Sequence, residues 1–482
     1  MLKKMGRDVA IYGSADLVFR VVGFFVFPVY AHVFSVGEFG IYALVTTTVG
    51  IAALLANLGL YNATQRYYWD PETEPRMQPA IVSTGLGVLM AWSSGVVILL
   101  IAGLYPVSEI IVTRYGISWS IMLIALLTII PEQILQYCVD ILRLHFSPWK
   151  FAIVSFLKNL LGVAVGLVLI LSFDRGLEGL FFGGLVGALA AVPIALVLIR
   201  KDLTFAVDPK TAWRLVLFGY PFVFAGMAYW VFGSVDRWML AEFSDTTQLG
   251  LYAIGYKFAA SVLLLNGAFG QAWSPIALKL KRDDSQYRSM YARIFSVWFF
   301  LLAVVGSTIS LFGKEVLGLL TPSEYWGASP ILGMLVAGVV LSGTTQITAI
   351  GISLEEKTKL FASAAWTTAL VNIVLNFLLI PYWGARGAAL ATCLSYGVLT
   401  LLYLFWSQRL HPIPLEKPKL IYSAIVTVSV AGVSIGMAEA DASVYVTLCK
   451  MALLTLMVAG GFVLGIVNVS ALKGALRGRF QV

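Results

Sequence analysis

Apolar residues run along this chain in blocks of about 20 to 30, separated by short polar stretches. A helix needs about 20 mostly apolar residues to cross a bilayer. Blocks of that kind lie at roughly 9–33, 38–66, 80–104, 117–142, 149–172 and 177–199. After the polar stretch 200–214 they resume at roughly 215–241, 248–278, 290–312, 327–353, 359–381 and 386–407. Two more follow, at roughly 419–437 and 444–468. The pattern predicts an all-α integral membrane protein with about 14 transmembrane helices. The second and eighth blocks are long enough for helices that tilt or protrude. The loops leave no room for a soluble domain.

The pattern also repeats. Shifting the chain by 210 residues lays the first six blocks on the next six. Glu38, Phe39, Gly40, Ile41, Tyr42 and Ala43 then meet Gln248, Leu249, Gly250, Leu251, Tyr252 and Ala253. Arg114, Tyr115 and Gly116 meet Glu324, Tyr325 and Trp326 in the same register. An offset this constant indicates duplication, in the manner of transporter folds built from repeats. The expected organisation is an N-lobe over 1–205 and a C-lobe over 206–412, in parallel pseudo-two-fold repeat. Two additional helices and a basic tail occupy 413–482.

Composition sharpens this picture. Hydrophobic residues make up 59% of the chain and charged ones 12%, against about 25% charged in soluble domains. The net charge of +8 reads as positive-inside loops and not as nucleic-acid binding. With the N-terminus inside, 24 Lys and Arg fall on the cytoplasmic side. Five fall on the other: Arg114, Arg175, Lys314, Arg386 and Lys450. Both termini are therefore expected in the cytoplasm. Residues 1–7 lead straight into the first block without a small-residue cleavage site. Cys138, Cys393 and Cys449 have neither metal nor disulfide spacing, and buried packing is expected for them. His32, His145 and His411 fall near helix ends, as solvated or interfacial histidines do. There is no phosphate-cradling Gly-Lys-Ser/Thr loop and no catalytic constellation. The expectation is a protein that is not an enzyme and does not hydrolyse ATP.

Ionisable residues inside the apolar blocks are costly and are functional candidates by default. They include the cations Arg20, Lys158, Arg237 and Lys257 and the acids Asp16, Glu132, Asp140 and Asp236. Asp16 and Arg20 stand at i and i+4, so they can pair on one helix face or line a cavity. Lys158 can snorkel to the membrane surface. Glu132 and Asp140 read as a solvated rim, and Arg66 ends the second block at the cytoplasmic mouth. Arginine grips phosphate bidentately and lysine acts as a point charge, so a few such groups suit a pyrophosphate cargo. Tyr12, Tyr61, Tyr67, Tyr68, Tyr229, Trp230 and Trp273 are candidate sugar contacts, with interfacial anchoring as the competing role.

Several stretches, in this order and spacing, resemble the polysaccharide branch of the multidrug/oligosaccharidyl-lipid/polysaccharide (MOP) exporter superfamily. They are Gly37 to Tyr42, Gly219-Tyr220-Pro221, Asp236-Arg237, Gly250 to Ala253, and Gly384 to Ala389. The resemblance implies a Wzx-like flippase, similar also to lipid II flippases. Such a protein moves an undecaprenyl-pyrophosphate-linked oligosaccharide across the bacterial cytoplasmic membrane. It works by alternating access, and serves cell-surface polysaccharide biosynthesis. Implied partners are the polyprenyl-pyrophosphate-linked oligosaccharide, membrane lipids and a polysaccharide polymerase. The cavity set would be Arg20, Arg237, Lys158, Lys257, Arg66 and Asp16. No cofactor is implied beyond a coupling Na+ or H+. Resemblance to lipid II flippases puts a sodium site at Asp236, Asn372, Asn376 and Thr392. Hydrogen bonding between helices, with Asp236 paired to a cation such as Lys257, is the competing role for these four. Two other functions stay open: a cation-coupled multidrug exporter of the same superfamily, and a non-transporting lipid-binding partner of an envelope synthase.

Overall fold

The computed structural model describes residues 26–467 apart from Glu72, Phe205, Ala206, Asp441 and Ala442, and apart from the side chains of Gln271, Ser274, Pro275 and Glu439. Asp16, Arg20 and Tyr12 lie outside the described residues. Every regular element among the described residues is helical, as hydrocarbon requires of a chain that must satisfy its own backbone polar groups.

Among the described residues, twelve helices are long and apolar enough to cross a membrane. One of them, Lys359–Leu410, is two helices joined across a kink at Gly384 (φ 51°, ψ −128°). That kink falls in the gap between the eleventh and twelfth apolar blocks. Most of the first block lies outside the described residues; its residues 26–33 are helical.

The chain forms two compact units that meet between Trp230 and Val231. The first contains α1 (Val36–Asn57), α2 (Leu60–Tyr68), α3 (Gln78–Leu104), α4 (Ser108–Tyr115), α5 (Trp119–Leu144), α6 (Pro148–Phe173) and α7 (Gly176–Leu198). Helix α8 (Pro209–Phe243) runs across the boundary. The second unit continues with α9 (Thr246–Ala259), α10 (Ser261–Asp283), α11 (Tyr287–Leu311), α12 (Gly313–Leu320) and α13 (Ser329–Gly343). It ends with α14 (Thr345–Thr348), α15 (Ile350–Leu354), α16 (Lys359–Leu410), α17 (Lys417–Glu439) and α18 (Val444–Val463).

The helix starts keep the offset seen in the sequence. Helices α1 and α9 begin 210 residues apart, as do α5 and α13. The first of these pairs is capped alike: the Ser35 side chain accepts from Glu38 N, and that of Asp245 accepts from Gln248 N. Glu38 also reaches back to Ser35 N (2.8 Å), completing a capping box. Each cap is worth about 1 kcal/mol. In the second unit Gln248, the counterpart of Glu38, turns its Oε1 to the Ala385 amide (3.2 Å), next to the Gly384 kink. Two stretches singled out in the sequence thus meet in one hydrogen bond.

The second apolar block is not one long helix. It breaks between α1 and α2, where Leu58 and Gly59 both take positive φ (53° and 67°). Gly59 lies so near Gly219 of α8 that a Cβ on it would sit 2.0 Å from the Gly219 carbonyl oxygen. The polar groups at the break are satisfied locally. Asn57 accepts from Gly59 N (3.0 Å) and donates to Gln133 Oε1 (3.3 Å), while Gln133 donates to Ala53 O (2.7 Å).

Helices α6 and α7 form a hairpin packed through glycine. A Cβ on Gly183 would lie 2.5 Å from Gly162 O, and one on Gly187 2.4 Å from Lys158 O. Small residues at such spacing let membrane helices touch backbone to backbone.

Two of the three histidines are hydrogen-bonded clamps at helix ends; His411 is buried and not solvated, whereas His145 stays exposed. In the first unit His145 Nε2 meets Tyr68 OH (2.9 Å) and Asp202 Oδ1 (3.1 Å). In the second, His411 meets Tyr287 OH (2.9 Å) and Glu355 Oε1 (3.2 Å). The His411 side chain is 6% exposed, against 33% for His145. His411→Ala is therefore expected to destabilise the protein by about 1 kcal/mol, through the hydrogen bonds lost with a buried ring. His145→Ala should cost less. Thermal unfolding of the purified variants checks the ranking.

Two further expectations change. Cys138 is buried as expected, but Cys393 is only partly buried and Cys449 is exposed. Lys450, counted with the loop cations, is 1% exposed and bonds Glu315 at 2.5 Å, tying α18 to α12.

Candidate functional site

A buried polar cluster that includes charge lies in the second unit. Asp236 of α8 is 1% exposed. Its Oδ1 accepts from the Arg237 backbone N–H (2.8 Å) and from Arg237 Nη1 (3.2 Å). Its Oδ2 accepts from the Tyr252 hydroxyl and from Thr392 Oγ1, the latter at 3.3 Å. The Tyr252 and Thr392 hydroxyls are 3.0 Å apart. Arg237 also donates to Gly233 O (2.8 Å), and its guanidinium lies 4.8 Å from the Tyr256 ring centroid and 5.8 Å from that of Tyr252. Tyr252 and Tyr256 are four apart on α9, so one helix face supplies both rings. A buried ion pair gives little net stability, because desolvation offsets much of the attraction. One at membrane depth points to function.

A second polar set adjoins it. Asn372 Nδ2 donates to Ser395 Oγ (3.1 Å), and Asn376 Nδ2 donates to Asn372 Oδ1 (2.9 Å). Ser395 lies three residues beyond Thr392, on the same face of α16. Asn372, Asn376 and Thr392 are all buried. Asn376 Oδ1 accepts no hydrogen bond among the described residues. A buried amide oxygen left open, linked through Asn372 to Ser395 one helical turn from Thr392, is a donor of the kind that suits a hard cation.

The duplication supplies an internal control. Where the second copy has Asp236, Arg237, Asn372, Asn376 and Thr392, the 210-residue offset puts Val26, Phe27, Gly162, Gly166 and Phe182 in the first. The same fold is thus built without these polar groups. Gly162 and Gly166 are the hairpin glycines; at their counterparts the second copy carries amides.

The other sequence candidates have local partners. Lys158 bonds Glu132 at 2.6 Å, so Glu132 is a counter-ion and not merely a rim. Arg66 pairs with Asp70 (3.2 Å) at an exposed position. Lys257 is exposed on α9, and Asp236 takes its neighbour Arg237 as ion-pair partner. Tyr256 and Ser395 were not anticipated. The i, i+4 spacing of Tyr256 from Tyr252 was the available signal.

Comparison with known proteins fits this architecture. Residues 5–281 match the model of the family described as "Polysaccharide biosynthesis protein". A protein of Haloferax volcanii named "Probable low-salt glycan biosynthesis flippase Agl15" is 23% identical over 88% of this chain and 87% of its own length. Among solved structures, the lipid II flippase MurJ in an inward closed conformation superposes with a TM-score of 0.72 at 16% identity, covering 93% of this chain and 97% of MurJ. An inward-facing multidrug resistance MATE transporter of the MOP superfamily gives a TM-score of 0.65 at 12% identity, covering 83% and 93%. The fold is that of a multi-pass membrane transporter. The chain belongs to the polysaccharide biosynthesis protein family.

Proposed function

We propose that the protein is a flippase of glycan biosynthesis. Its cargo is a polyprenyl-pyrophosphate-linked oligosaccharide, undecaprenyl in a bacterium, carried across the cytoplasmic membrane by alternating access. A polysaccharide polymerase is the partner that takes the delivered product. Family membership over more than half of the chain, residues 5–281, carries the reading. The basic asymmetry of the loops supports cytoplasmic termini.

The cations at membrane depth suit the pyrophosphate. Arg20 and Arg237 are its principal contacts, with Lys158, Lys257, Arg66 and Asp16 as the rest of the set. Arg237 already has a carboxylate partner, so its availability to cargo depends on what Asp236 holds. The residues that would hold a coupling sodium are Asp236, Thr392, Asn372 and Asn376, and the ion would supply positive charge to a buried carboxylate. The open Asn376 Oδ1 supports this assignment. Ion and guanidinium then share one carboxylate.

Deleting the gene is the direct test. The expected result is lipid-linked glycan accumulating on the cytoplasmic face, with loss of surface glycan. Unchanged surface glycan would reject the flippase. Undiminished glycan with altered efflux of cationic compounds would favour a drug exporter.

A further inference from the structure

The first unit holds a polar site of its own. Tyr61 and Gln65 on α2, with Gln136, Asp140 and Arg143 on α5, line a cleft of about 320 Å3. Small-molecule sites run from about 300 to 1,000 Å3, so the space suits one ring-sized group. Asp140 is the hub: Gln136 Nε2 lies 3.2 Å from each of its oxygens, and Arg143 Nη1 donates to Oδ1 at 3.0 Å. Gln65 and Gln136 are exposed. Beneath them the floor is fixed. The Tyr137 and Thr64 hydroxyls are 3.0 Å apart, and Tyr137 also bonds Val82 O (2.9 Å). Gly85 makes room for them, since a Cβ there would fall 2.3 Å from Tyr137 OH. Tyr61 OH is held by Gln133 Oε1 at 2.6 Å. Rigid floor and exposed amide rim are the usual division in a recognition site.

The fold does not require this polarity. The 210-residue offset sets Ile347, Ile350 and Ser353 of the second copy against Tyr137, Asp140 and Arg143. Ile347 and Ile350 are both buried. One copy thus packs two of these positions with hydrocarbon and leaves a serine at the third, while the other spends a phenol, a carboxylate and a guanidinium on them.

Charge selects the ligand class. Asp140 and Arg143 cancel, so the cleft offers donors and acceptors without net charge. A phosphate would want surplus positive charge. A neutral polyol wants planar amides, a carboxylate that takes two hydroxyls, and an aromatic ring. We propose that this cleft binds a neutral sugar residue of the lipid-linked cargo. The proposal rests on the flippase reading and adds where the glycan is recognised.

The test uses purified full-length protein in detergent and saturation-transfer NMR. The probes are the methyl glycosides of glucose, N-acetylglucosamine and rhamnose, with inorganic pyrophosphate as competitor. Two variants are compared with the wild type. One, Asp140→Ile with Arg143→Ser, installs the residues that the second copy carries. The other, Gln136→Ala, alters an exposed side chain and spares the core. At least one glycoside should contact the wild type, weaken by about tenfold or more in both variants, and resist pyrophosphate. Binding unchanged in the variants, displacement by pyrophosphate, or no glycoside binding at all would each overturn the cleft. Undecaprenyl pyrophosphate without sugar, added to the same preparation, separates the two readings. If that lipid binds and no glycoside does, the cleft falls and the flippase stands. If a glycoside binds the cleft and the lipid does not bind, the cleft stands and the pyrophosphate cargo falls.

Discussion

The Asp236→Ala protein is expected to unfold at a markedly lower temperature than the wild type and to lose glycan transport. Removing the carboxylate leaves Arg237, whose side chain is 12% exposed, without its ion partner. Breaking a buried pair from one side typically costs about 3–5 kcal/mol. Asp236→Asn should be costly too, because the amide keeps the shape but not the charge. The double variant Asp236→Asn, Arg237→Gln removes both charges. It should be more stable than Asp236→Asn alone, and the departure from additivity measures the pair. The same proteins test the ion. Sodium should raise the wild-type melting temperature above its value in potassium, since a ligand of the native state stabilises by mass action. The double variant should not respond. Equal shifts in sodium and potassium would remove the sodium site and leave the proton, or no coupling ion at all.

Much of the architecture was legible because bilayer thickness dictates block length. The gap between the eleventh and twelfth blocks falls on the Gly384 kink, and the 210-residue offset returns in the helix starts. The candidate site was legible in part. Asp236 and Arg237 stood out as charges in an apolar run, but adjacent residues on a helix do not normally face each other. Their pairing depends on the arginine folding back toward Gly233 and lying over the α9 tyrosines. Asp140 read as a rim acid because its hydrogen-bond donors, Gln136 and Arg143, are ordinary surface residues in sequence. The break after Asn57 was hidden for a different reason. Glycine is frequent in membrane helices, and what makes Gly59 special is Gly219, far away along the chain.

Gly59→Val is expected to have the largest effect of any single substitution in the first unit. Two costs coincide. A β-branched residue at φ 67° is a genuine backbone outlier, and its Cβ would overlap the Gly219 carbonyl, placed 2.0 Å away. Neither obstacle is a flexible side-chain tip, so relief requires α8 to move. Gly219→Val meets the same contact from the other side, with a Cβ 2.5 Å from Leu58 O. Each should cost more than about 4 kcal/mol, the range reserved for such failures, and should appear as loss of folded protein in detergent size exclusion. Gly226→Ala is the control: a Cβ there meets the Leu54 side chain, at 2.7 Å for the nearest atom, and leucine can turn aside. Wild-type yield and melting temperature for Gly59→Val would show that α1 and α2 can join into one helix without harm. The break also aims α2, which carries Tyr61, Thr64 and Gln65 into the sugar cleft. Any folded fraction of Gly59→Val should therefore lose glycoside contact, whereas Gly226→Ala should keep it.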